Sequence, residues 1–104
     1  MNKERIALLE EYIRQDPQDP FNHYALALEY LHAHPSEALG RLQKVIERFP
    51  HYLPSYYPCA ELTAMLGSAA AALTVAESGM TMALKAGDRK TASELRTLAE
   101  SIQD

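Results

Sequence analysis

The sequence holds a single cysteine, Cys59, and no tryptophan. One thiol excludes an intramolecular disulfide and a zinc site built on several cysteines. No apolar run approaches the roughly 18 residues that a membrane span needs. The first eleven residues alternate charge with apolar side chains and lack the apolar core of a secretory signal. Basic charge is not in excess: 10 Lys and Arg stand against 14 Asp and Glu, for a formal net charge of -4. A nucleic-acid partner is therefore not expected. Glycine-rich phosphate loops, nucleophile elbows and HExxH pairs are absent. These absences lead to the expectation of a soluble, cytoplasmic chain that is not an enzyme, with no metal, no cofactor and no membrane partner.

What is present is ordinary globular composition, 47% hydrophobic and 23% charged over 104 residues, the size of one small domain. Pro17, Pro20, Pro35, Pro50, Pro54, Gly67 and Gly87 punctuate it into segments of helical length. Ile6, Leu9 and Ile13 give the first segment a helical stripe, which Leu8 and Tyr12 widen. Asp19 and Pro20 read as the N-cap and first residue of the second segment. The third, from His34 to Pro50, sets Ala38, Leu39, Leu42, Val45, Ile46 and Phe49 against the charged Glu37, Arg41, Lys44, Glu47 and Arg48. In the fourth, Cys59, Leu62, Thr63 and Leu66 keep helical spacing, and Pro58 demands a place in the first turn. Ser68 and Asp88 read as caps of the fifth and sixth. No alternating strand pattern occurs, so the class is all-α.

The segments repeat. Tyr24 and Tyr57 are 33 apart, as are Pro17 and Pro50, while Ala38-Leu39 and Ala72-Leu73 are 34 apart. A period of 33–34 with two helices per unit signals stacked helix-turn-helix repeats. Phe21 to Pro50 resembles a tetratricopeptide repeat through Leu26-Ala27, Tyr30, Ala38, Leu42, Val45 and Pro50, with one residue fewer in the turn. Pro54 to Leu84 is similar, with Tyr56, Cys59-Ala60, Ala72, Ala76 and Gly79 in the corresponding places. His23, Thr63, Leu84 and Gly40 depart from the family pattern. The resemblance implies a short right-handed α-solenoid of about six helices. Its parts would be a leading helix over 1–16, repeats over 20–50 and 54–86, and a closing helix over 88–103.

The resemblance also implies a function, non-catalytic binding of a peptide or helix in a concave groove lined by the first helix of each repeat. Carried over, the lining is Phe21, Tyr24, Leu28, Leu31 and His32, then Tyr57, Glu61, Ala64 and Met65. It is apolar and aromatic, and it lacks the Lys, Arg and Asn with which some repeats grip a chain-terminal carboxylate. An apolar protein or peptide partner is expected, with homo-oligomer formation through the same face as the rival. His32 and His34, two apart, point in different directions on a helix and do not make a metal pair. The Arg41, Lys44 and Arg48 stripe reads as a solvated outer face. Cys59, beside Ala60, reads as a buried thiol. Ala27, Ala38, Ala60 and Ala72 are small where two helices of a repeat meet. Ala27→Leu is expected to overpack that contact and destabilise the fold by about 1–3 kcal/mol in chemical denaturation.

Overall fold

Capping side chains and prolines fix the helix ends in the computed structural model, which describes residues 1–103. Helix α1 (Lys3–Gln15) opens on Asn2, whose side chain accepts from the Arg5 amide at 3.0 Å. Helix α2 (Pro20–Glu29) opens on Asp19, which accepts from the Phe21 amide at 3.0 Å, with Pro20 in the first turn. Helix α3 (Pro35–Arg48) follows His34. A 3₁₀ turn over Leu53–Ser55 leads into α4 (Tyr56–Met65), so Pro58 sits in the first turn, where its missing N–H removes no helical bond. Helix α5 (Ala69–Lys85) is capped by Ser68, which accepts from the Ala71 amide at 3.1 Å. Helix α6 (Arg89–Gln103) is capped by Asp88, which accepts from the amide and hydroxyl of Thr91. Those two hydrogen bonds hold the Asp88 carboxyl below its usual value. Gly67 and Gly87 take the positive φ values, 130° and 75°, that turn the chain between α4, α5 and α6. No strand occurs among the described residues, and no helix there is long and apolar enough to cross a membrane.

The helices gather into two units, Met1–Phe49 and Pro50 onward. In the first unit α1 packs on α2, and α2 on α3. Leu9, Ala25 and Leu26 are buried together, with Ile6, Ile13 and Tyr30 against them. Leu8 and Tyr12 remain exposed, so the apolar stripe of α1 is narrower than the spacing implied. The main packing partner of α1 is α2, and one such neighbour covers one face.

His23, which departs from the family pattern, has a defined role in this unit. Its ring lies against Phe49 at 5.5 Å, and Nε2 sits 2.9 Å from the Pro17 carbonyl. That carbonyl can only accept, so Nε2 carries the proton. Arg48 Nη2 donates to the same oxygen at 3.3 Å. One carbonyl thus fastens the turn after α1 to both α2 and α3.

In the second unit α5 packs against α4 and α6. Its buried positions are Ala72, Ala76, Gly79 and Ala83, four small residues at spacings of four, three and four. A Cβ on Gly79 would stand 2.7 Å from Leu95 Cδ1, 2.8 Å from Tyr56 Cβ and 2.9 Å from Tyr56 Cγ. Tyr56 is 2% exposed and donates its hydroxyl to the Pro50 carbonyl at 2.7 Å. Ser55, wholly buried, donates to the Tyr52 carbonyl at 2.9 Å. Thr63, where the family has an aromatic, returns its hydroxyl to the Cys59 carbonyl at 2.7 Å. Ala60, Ala76, Leu98 and Ala99 form a further buried cluster. Leu66 is exposed despite its helical spacing and Leu84 is 63% exposed, so neither belongs to this core. The period-related alanines, Ala27 and Ala38 in one unit and Ala60 and Ala72 in the other, are all wholly buried.

The two helical glycines should respond oppositely to one methyl group. Gly40→Ala meets nothing within 4 Å. It should stabilise by up to about 1 kcal/mol through helix propensity. Gly79→Ala must displace Tyr56 and should destabilise by about 1–3 kcal/mol despite the same propensity gain. Urea denaturation of both variants checks the sign.

Alkaline pH should act on the same core. Burial pushes the Cys59 thiol above its ordinary 9.0, and burial followed by the neighbouring Cys59 pushes the Tyr56 phenol above 10.0. Folded-state values above unfolded ones mean the protonated forms contribute stability that is full below the unfolded values. That contribution is lost as pH rises through the folded ones. The urea midpoint should stay level up to about pH 8.5 and fall progressively above about pH 9.

Candidate functional site

The residues expected to line a groove fall on the first helix of the pair in each unit, with one correction. In the first unit, Phe21 lies in the first turn of α2 and is 52% exposed. Tyr24 and Leu28 are half-buried on the same helix, and burial pushes the Tyr24 phenol up. Leu31 and His32 were expected on this helix but lie in the turn beyond it. The helix ends at Glu29 because the Tyr30 and Leu31 amides donate to Ala27 and Leu28, three residues back, and the last turn tightens. His34 then precedes Pro35, which bars the α region to it. Leu28 and exposed His32 border a shallow depression with Met1, Asn2 and Arg5. Arg5 reaches Glu29 at 3.5 Å and holds the start of α1 to that end of α2. Phe21 stands about 10 Å from Leu28 along the axis, two helical turns away.

In the second unit the stripe is continuous. Tyr57, Glu61 and Met65 follow each other at spacings of four along α4 and share one face. Tyr57 is 42% exposed, Met65 is 71% exposed, and Glu61 is exposed without an ion pair among the described residues. Ala64 is half-buried beside them. Tyr56, one residue before Tyr57, faces the opposite way into the core, so adjacent tyrosines divide between packing and surface.

Cys59 is wholly buried, and its thiol is pushed up by that burial. A neutral, enclosed thiol is a poor nucleophile. Among the described residues no group of three His, Cys, Asp or Glu side chains could hold a metal ion.

One assembly was missed by sequence reasoning. Arg41, Lys44 and Arg48 read as a solvated face, yet Arg41 is half-buried. Together with His23 they surround a hollow of about 120 Å³ floored by Leu26, Val45 and Phe49. Arg41 lies 4.4 Å over the Tyr30 ring and bonds Glu37 at 3.2 Å. Arg48 lies 5.0 Å over the Phe49 ring. The spacing of three and four along α3 was legible as a stripe. That His23 joins it from α2 was not.

No family model matches the chain, and no curated protein does. Solved structures do. The solution structure of a tetratricopeptide repeat domain protein from Salinibacter ruber shares 33% identity, covering 84% of this chain and 89% of that one, with a TM-score of 0.77. A crystal structure of a tetratricopeptide repeat domain protein from Salinibacter ruber gives 32% identity, 82% and 97% coverage and the same TM-score of 0.77. A Bordetella parapertussis protein shares the fold at 21% identity, with 94% and 86% coverage and a TM-score of 0.78. The 33–34-residue period, the buried alanines that mark it and relatives alike over most of their length lead to one conclusion: the chain belongs to the tetratricopeptide repeat family.

Proposed function

We propose that the chain is a non-catalytic protein–protein interaction module that takes an apolar peptide or helix on the first-helix faces of its two units. Membership of the tetratricopeptide repeat family supports the general role. The observation that carries the finer reading is the α4 stripe. Tyr57 and Met65 are large apolar side chains left in water on a helix whose other side is fully packed. Tyrosine offers a broad contact and a hydroxyl, and methionine adapts to varied shapes. Interface energy concentrates in a few such anchors. On α2, Phe21 plays the same part, with Tyr24 and Leu28 half-buried behind it.

Phe21 and Tyr57 are the informative positions because both are exposed, whereas truncating Tyr24 also disturbs packing. Phe21→Ala with Tyr57→Ala should leave helicity by circular dichroism intact. It should weaken capture of partners from native lysate about tenfold or more, since each buried anchor contributes about 1–2 kcal/mol. Undiminished capture by the folded double variant would place the binding surface elsewhere. Loss of a concentration-dependent dimer in light scattering, with no lysate partner, would identify the occupant as a second copy.

A further inference from the structure

We infer that the hollow on α2 and α3 is a second binding site, and that its occupant is an acidic peptide segment carrying one bulky apolar side chain. The site lies entirely within the first unit and is independent of the Phe21 and Tyr57 faces.

Charge makes the first argument. The chain as a whole carries -4, yet no carboxylate is among the residues lining the hollow. Arg41, Lys44 and Arg48 run along one face of α3 over about 10 Å. Glu37 meets Arg41 through a single bond to Nε. Arg48 spends one donor of its five on the Pro17 carbonyl. Lys44 is exposed and has no ion-pair partner among the described residues. Cationic donors therefore remain along the whole wall.

Preorganisation makes the second. Exposed arginines ordinarily sample many rotamers, and binding must freeze them. Here both guanidiniums already rest on aromatic rings, Arg41 on Tyr30 and Arg48 on Phe49. Each is held by a stacking contact and a hydrogen bond before any ligand arrives.

The floor makes the third. Leu26, Val45 and Phe49 give the hollow an apolar base. Its 120 Å³ approaches the ~150 Å³ of an apolar cavity that admits benzene. One leucine or phenylalanine side chain suits that space. A polyphosphate backbone would use the cations but not the floor, so the combination selects a peptide in which carboxylates flank a single apolar residue.

A fluorescein-labelled peptide with three glutamates spaced one helical turn apart around one leucine tests this by fluorescence anisotropy. Saturable binding is expected, weakening several-fold when salt is raised from about 50 to 300 mM, as the Debye length shortens. Lys44→Glu breaks no hydrogen bond or ion pair described here and should weaken binding about fivefold. Lys44→Glu with Arg48→Glu should weaken it tenfold or more. Replacing the peptide's leucine by serine should also weaken it clearly. Phe21→Ala with Tyr57→Ala should leave it unchanged, which separates this site from the one proposed above. Four results would overturn the inference: no saturable binding, equal affinity in the folded charge-reversed variants, indifference to the leucine, or tighter binding of a labelled single-stranded oligonucleotide.

Discussion

Close approach of helix backbones is the condition on which the second unit depends. Helix α5 meets α4 and α6 through the buried Ala72, Ala76, Gly79 and Ala83, with Leu73, Val75 and Met80 partly buried against the same core. At Gly79 the fit admits no methyl group, because Tyr56 and Leu95 already occupy its place. Backbones brought this near gain dispersion contacts over their whole length, which individually are small and together large. The large side chains that are fully buried in the unit come from the partners, Tyr56 and Leu62 from α4 and Leu95 and Leu98 from α6. Tyr56 is the largest of these, and its hydroxyl is satisfied by the Pro50 carbonyl rather than left orphaned.

The fold was legible because three independent signals agree. Proline and glycine mark the ends, capping side chains sit where helices begin, and the alanine pairs recur at 33–34 residues. Asp19, Ser68 and Asp88 all cap as their positions implied. Where the reading failed, helical spacing was taken for burial. Leu8, Tyr12 and Leu66 have the right period and still face water, because period describes a helix and burial needs a neighbour. Leu31 and His32 fell beyond α2 because a tightened last turn leaves no trace in the amino-acid pattern.

The surface was less legible than the core, and for a related reason. Tyr56 and Tyr57 are chemically identical neighbours, and only the direction of α4 decides which one is packed. The basic stripe on α3 was visible as charge, but part of its apolar floor and one of its rings come from α2, through Leu26 and Tyr30. Side chains of one helix can be ordered from sequence alone. What a second helix brings to meet them cannot.

The small-residue seam of α5 has an evolutionary consequence. A position that admits no added atom cannot drift, so descendants of this chain would keep Gly79 whatever they came to recognise, and the wholly buried Ala72, Ala76 and Ala83 leave little room for larger residues. Tyr57, Glu61 and Met65 stand on the opposite footing, since all three are exposed. Ligand preference could therefore be rewritten on α4 one side chain at a time, with the scaffold unchanged beneath it.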